Sequence, residues 1–340
     1  RFLRRPGHEG DRRQSQSRAT QRTFETEARG LTVSASASDW VRRFAVEHRE
    51  VRGQLVRLGP AWLALREHSD YPEPVRALLG EAVAATVLLA STLKFEGELT
   101  LQLQGDGAVR LLVAQCTHDF RVRAVARFER ERLAEDFATL AGHGSIAVTI
   151  ESGRLQSRYQ GVVPIDGDSL ASSLEHYFEN SEQLPTRVRL AADAAGAAGL
   201  LVQRLPQHGG VGADVASAAA AREAEAWETY ETAARALADI GADELLLRPV
   251  EELLQRAVPG LDLRMFDTQA VSFGCRCSRE RVTGMLRSLG AEEVRSIVAE
   301  QGAVTVTCEF CQKPWRFDAV DATELFGDAA GRSPGSPRVN

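Results

Sequence analysis

The sequence predicts an α+β protein: an N-terminal mixed sheet-and-helix domain, a helical linker, and a small C-terminal domain organised by four cysteines. Three observations carry this. Apolar residues recur at helical spacing over 75–93, then alternate with polar ones from Leu99 onward. Four of the five cysteines fall in the last fifth of the 340 residues. Helices and hairpins in that order suggest an α+β domain. The 44% hydrophobic content excludes wholesale disorder, and an odd, sparse set of cysteines excludes a disulfide-stapled secreted scaffold.

Charge and targeting narrow the classes further. Lys plus Arg is 41 against 47 Asp plus Glu, a net of −6, and an acidic chain is a poor nucleic-acid binder. No run reaches the roughly 20 consecutive apolar residues of a membrane span; the most apolar stretch, Ala82–Leu93, is interrupted by Thr86, Ser91 and Thr92. Residues 1–38 hold eight Arg and four acids with no apolar segment, so they are expected to form a disordered extension, not a secretory signal. A cytoplasmic protein without membrane partners is the expectation.

Ordered structure is expected from Asp39, as N-cap of a short helix starting at Trp40, followed by a second short helix over Ala61–Glu67. Tyr71-Pro72-Glu73-Pro74 opens a long helix, because Pro fits a first turn whose amides are unpaired. Its apolar face is Val75, Leu78, Leu79, Ala82, Val83, Thr86, Leu89, Ala90 and Leu93. Leu99, Leu101 and Leu103 alternate as a strand, Gly105-Asp106-Gly107 turns the chain, and Val109, Leu111 and Val113 return. Val122/Ala124/Ala126, Ile146/Val148/Ile150 and Tyr159–Val163 read as further strands. Asp168 or Ser169 caps a helix through Tyr177 and Phe178, and Val188–Leu190 and Leu200–Leu205 close the domain at about residue 210.

Residues 211–258 differ in kind. Ten acids against four Arg surround a narrow stripe of Trp227, Tyr230, Ala234 and Leu237. Glu231–Arg235, Glu244–Arg248 and Glu252–Arg256 are spaced as helix-supporting pairs, each contributing a few tenths of a kcal/mol. So charged a helix is marginal unless it docks.

Cys275-Arg276-Cys277 and Cys308-Glu309-Phe310-Cys311 form a CxC–x30–CxxC pattern, and all seven histidines lie at 208 or earlier. Four thiolates suit one tetrahedral Zn²⁺. Ser278 caps a helix with Val282, Met285, Leu286 and Leu289 on one face, stopped by Gly290; a second helix carries Val294, Ile297 and Val298 to Gly302. Val304 and Val306 lead into Cys308, and Pro314-Trp315-Arg316-Phe317 leads away, which sets the CxxC on a hairpin turn. A lobe this small depends on its metal, which contributes roughly 10–16 kcal/mol in small zinc peptides. Arg276, Arg279, Arg281, Lys313 and Arg316 can soften the thiolate charge. Each close pair is also placed to become a disulfide, so the spacing admits a redox switch beside the commoner inert structural site.

The residues resemble a known family. Val51-Arg52-Gly53, Asp70 through Val75, Leu93-Lys94-Phe95, Leu101 through Gly107, Arg158 through Val163, Ser181 through Thr186, Cys275 through Arg281 and Cys308 through Cys311 occur in matching order. Over about 41–326 the chain resembles the redox-regulated, zinc-dependent holdase chaperones, the thirty-three-kilodalton heat-shock protein family. The resemblance implies an ATP-independent chaperone, not an enzyme, that binds unfolding clients during oxidative and heat stress. It implies one Zn²⁺ on Cys275, Cys277, Cys308 and Cys311 when reduced. On oxidation it implies bridges 275–277 and 308–311, zinc release, unfolding of the lobe and linker, dimerisation, and later hand-over of clients to ATP-dependent foldases. The expected organisation is thus an extension over 1–38, a core domain over 39–210, a metastable linker over 211–258, a zinc-binding switch domain over 259–326 and a tail over 327–340.

Two other classes fit less well. The glycine clusters at 105–107, 142–144 and 209–212 lack a nucleotide-loop context, and a thiol oxidoreductase would place its CxxC at a helix start. A zinc-ribbon nucleic-acid module has local support only from Arg276–Arg281. Cys116, on the returning strand, is expected to be a buried bystander.

Overall fold

The computed structural model describes residues 38–67, 69–152, 157–206 and 213–327. The extension expected over 1–38 and the tail over 327–340 therefore lie almost wholly outside the described residues. The elements in chain order are β1 (Trp40–Val46), β2 (Val51–Leu58), α1 (Pro60–Arg66), α2 (Glu73–Thr92), β3 (Gly97–Gly105), β4 (Val109–Thr117) and β5 (Arg121–Phe128). After them come α3 (Phe137–Ala141), β6 (Gly144–Ser152), β7 (Ser157–Pro164), α4 (Leu170–Tyr177), β8 (Thr186–Ala192) and β9 (Ala197–Arg204). The remainder comprises α5 (Ala213–Ala238), α6 (Ala242–Leu247), α7 (Val250–Ala257), β10 (Leu263–Met265), β11 (Gln269–Ala270), β12 (Ser272–Phe273), α8 (Arg279–Leu289), α9 (Ala291–Gln301), β13 (Val304–Thr307), β14 (Pro314–Phe317) and α10 (Ala319–Gly327).

Two sheets enclose α2. The first runs β10-β1-β2-β9-β8 with β11 also on β1, the second β12-β5-β4-β3-β6-β7. Because α2 packs on strands of both, it is buried around nearly its whole circumference, and Ala84, Ala85, Val87 and Leu88 join the predicted face in the core. It is the one helix among the described residues long and apolar enough to cross a membrane, and 78% of that stretch is buried here. Its hydroxyls stay satisfied inside the helix: Thr86 donates to the Ala82 carbonyl and Ser91 to that of Leu88.

Two expectations are corrected. Trp40 begins a strand, not a helix, and Asp39 caps a different element: its carboxylate accepts from the Gly59 and Ala61 amides at the start of α1, 20 and 22 residues away. On β4 the predicted phase slips. An irregularity between Val109 and Leu111 leaves Arg110 unpaired with β5, so Leu112, Ala114 and Cys116 face inward while Leu111 and Val113 are only partly buried.

The outer face of the first sheet carries the charged helices. Phe44, Val46, Val51, Leu55, Leu200 and Val202 form one buried cluster with Tyr230, Ala233, Leu237, Ile240, Leu245, Leu253 and Leu254. The buried stripe of α5 is thus Ala226, Tyr230, Ala233 and Leu237, whereas Trp227 is 42% exposed and stacks against the Arg204 guanidinium. Core arginines also reach the ends of these helices. Arg189 donates to the Ile240 carbonyl at 2.8 Å, and Arg57 to those of Leu245 and Arg248, placing cations where helix C-termini are negative. Of the predicted pairs, Glu244–Arg248 forms at 2.8 Å; Arg256 instead reaches Glu244, and Arg235 bonds Thr232.

Candidate metal centre

The edge of the second sheet delivers the first cysteine pair. β12 lies parallel to Arg121–Val122, and the Gly274 amide extends the ladder to the Val122 carbonyl. Cys275, Arg276 and Cys277 follow, and Ser278 then caps α8, its hydroxyl accepting from the Arg281 amide. Gly290 and Gly302, both at positive φ, end α8 and α9 as predicted.

The second pair sits on the β13–β14 turn. The Cys308 amide donates to the Lys313 carbonyl at 3.0 Å and Gln312 donates back to Cys308 at 2.8 Å, with Gln312 in the left-handed region. Behind the turn is a small core of Val282, Leu286, Val294, Val304, Phe317, Ala322 and Leu325. Met285 and Leu289, expected on the same apolar face, are about half exposed.

The structure brings the four predicted residues together. The sulfurs of Cys275, Cys277, Cys308 and Cys311 all lie within 4.8 Å of one another, each half-buried. Both close contacts cross between the motifs: Cys275 to Cys308 at 3.6 Å and Cys277 to Cys311 at 3.4 Å. A tetrahedron with Zn–S bonds of about 2.3 Å has edges of about 3.8 Å, so small rotations of these side chains complete it. An all-sulfur donor set is soft, and it fits a single thiophilic ion. The cluster can therefore hold a metal ion.

Electrostatically the four thiols are unequal. Burial opposes ionisation of Cys275, but hydrogen bonds from the Cys277 amide and neighbouring thiols outweigh it and bring it down to about 7. Burial pushes Cys277 and Cys311 up. Cys116 does not join them: it is fully buried on β4, where desolvation and the nearby Asp119 and Glu98 charges push its thiol well above the usual range. Because the thiolate is the nucleophile, Cys275 reacts faster as pH rises through about 7. In reduced protein at pH 7, brief treatment with iodoacetamide is expected to leave the fully buried Cys116 unmodified; peptide mass mapping checks this, and early labelling of Cys116 would contradict its bystander role.

Three of the five cations expected to soften the thiolate charge have partners of their own. Arg279 pairs with Asp321 and lies over Phe317, Lys313 lies over Trp315, and Arg276 bonds Glu98 at 2.6 Å. Sequence reasoning did not find the core residues that meet the motifs, namely Glu98, Arg123 and Arg127. Arg123 sits over the Phe310 ring at 4.3 Å and Arg127 pairs with Glu309 at 2.5 Å. The only sequence signal for these contacts is that Arg276, Glu309 and Phe310 lie inside the cysteine motifs.

The family model described as Hsp33 protein matches residues 39–318. The 33 kDa chaperonin of Chromobacterium violaceum is 39% identical over 290 residues, covering 85% of this chain and 94% of the relative. That of Neisseria meningitidis is 40% identical over 310 residues, covering 90% and 98%. The crystal structure of the Thermotoga maritima 33 kDa chaperonin superposes with a TM-score of 0.72 at 22% identity, over 86% of this chain and 99% of that one, which is a likeness of fold.

Proposed function

The chain belongs to the Hsp33 family, and from that premise we propose that it is a redox-regulated, ATP-independent holdase whose switch is the four-cysteine centre. The observation that carries the reading is the convergence of four thiols from two motifs within 4.8 Å, with no other ligand type among them. A Zn²⁺ ion on Cys275, Cys277, Cys308 and Cys311 would supply a tetrahedral crosslink and keep the sulfurs as thiolates.

The chain's own groups then do the switching. Four thiols and two molecules of hydrogen peroxide give two disulfides, 275–277 and 308–311, and four waters; four electrons pass from sulfur to the two O–O bonds. Sulfurs bound to each other no longer serve as thiolate ligands, and the small core of Val282, Leu286, Val294, Val304 and Phe317 is left to hold the lobe alone. The lobe over 259–326 unfolds and the linker over 211–258 loosens with it. Phe44, Val51, Leu55, Leu200 and Val202 then lose their cover and present an apolar sheet face to unfolding proteins. In keeping with the family resemblance, the activated form dimerises and passes its clients to ATP-dependent foldases. A reducing cytoplasm holds the protein off.

Zinc content and suppression of client aggregation, measured side by side before and after peroxide at mild heat, test this. Reduced protein is expected to bind one zinc and leave a denaturing client to aggregate. Oxidised protein is expected to hold no zinc, carry two intramolecular disulfides and suppress aggregation. Oxidised, metal-free protein without holdase activity would overturn the reading.

A further inference from the structure

The interior residues of both cysteine motifs close on a single ion pair of the core. Glu98 on β3 accepts a hydrogen bond from the Arg276 guanidinium at 2.6 Å and lies 3.7 Å from that of Arg123 on β5. Arg123 is oriented from behind by Gln115, at 2.7 Å, which in turn donates to Thr100; its other face meets the Phe310 ring. The Glu98 and Arg123 side chains are only 12% and 14% exposed, so solvent screens this pair far less than the Arg127–Glu309 bridge beside it, where both partners are 60% exposed. Arg276 stands between Cys275 and Cys277, and Phe310 between Cys308 and Cys311.

We propose that Glu98 and Arg123 are positioning residues for the thiol switch: by gripping Arg276 and Phe310 they hold the two cysteine pairs facing each other and set how readily each pair oxidises. The inference rests on the redox reading above and names its regulation. A disulfide within a motif requires its two sulfurs to approach to about 2.05 Å, away from the opposite motif that each now faces. The backbone between them must turn, and Arg276 or Phe310 turns with it. The core contacts therefore belong to the reduced arrangement and oppose oxidation by the free energy they contribute. For each pair, two thiols and one hydrogen peroxide give one disulfide and two waters, with two electrons passing from the sulfurs to the O–O bond.

The test uses full-length, zinc-loaded protein and counts free thiols by alkylation and mass spectrometry during exposure to a fixed peroxide concentration. Glu98→Gln, nearly isosteric, and Arg276→Gln are each expected to speed loss of the four motif thiols about tenfold, the size of a charge-assisted hydrogen bond removed. The double variant is expected to be no faster than either single one, and Arg276→Lys, which keeps the charge, to lie close to wild type. Wild-type rates in both single variants, or single effects that multiply in the double, would overturn the proposal. Thiol loss is read without any client, so wild-type protein that oxidises but never suppresses aggregation defeats the holdase reading while leaving the latch judged on its own rates.

Discussion

Replacing Cys308 by serine is expected to unfold the lobe over 259–326 outright, not merely to lower its melting temperature by a few degrees. The lobe's buried cluster is seven side chains, and the largest of them is Phe317. So small a core supplies only a few kcal/mol, whereas structural zinc in comparable peptides contributes roughly 10–16 kcal/mol. A serine hydroxyl is a poor ligand for an ion that prefers thiolate, and three remaining sulfurs hold it far more weakly. Amide exchange should therefore show α8, α9 and α10 losing protection while β1 to β9 keep theirs, and zinc content should fall with them. Protection of α8 and α9 unchanged from wild type would show that the lobe stands without metal.

Leu237→Glu is expected to have a comparable effect on the neighbouring segment, with the opposite consequence for activity. Leu237 is 2% exposed and sits between Ala233 and Ile240 against the sheet face built by Phe44, Leu55 and Leu200. The change forfeits about 2 kcal/mol of apolar burial and opposes a carboxylate to an apolar surface. The segment over 211–258 carries ten acids against four Arg, and its hold on the sheet is the single apolar cluster to which Leu237 belongs. Reduced, zinc-bound Leu237→Glu protein should already suppress aggregation of a denatured client. A variant whose α5 exchanges freely but which stays inert until oxidised would show that the covered sheet face is not where clients bind.

The parts legible in the sequence are those where one local pattern decides the outcome. CxC and CxxC, a capping Ser278, two terminating glycines and two short β runs placed the four sulfurs together before any coordinates. The β1–β2 hairpin was illegible for a physical reason. Both faces of that sheet are covered, Val41 and Val56 packing toward α2 and Phe44 and Leu55 toward α5, so the strands lack the alternation that marks a half-exposed sheet. Arg42, Arg43 and Arg52 interrupt the apolar run further. Asp39 misled because a cap acts through space: it satisfies a helix that starts beyond an intervening hairpin. The stripe of α5 was half-read because alanines at 226 and 233 bury fully yet look neutral in a sequence. The latch contacts of Glu98 and Arg123 join residues some 180 positions apart, and no local spacing encodes them.

The segment that covers the first sheet leaves that sheet at Arg204 and rejoins it at Leu263, where β10 pairs with β1. Both of its ends are anchored in the surface it shields in the reduced state, and the end at Arg204 stays so when the lobe over 259–326 unfolds. Freed helices would remain tethered there, at a local concentration on the order of millimolar. Any chain that occupies the sheet face must outcompete this built-in rival, and it must do so continuously. In the proposed holdase, binding then favours segments that unfolding proteins present in many copies or hold for long times, and a client that begins to refold is displaced by the cover closing back from its fixed end at Arg204.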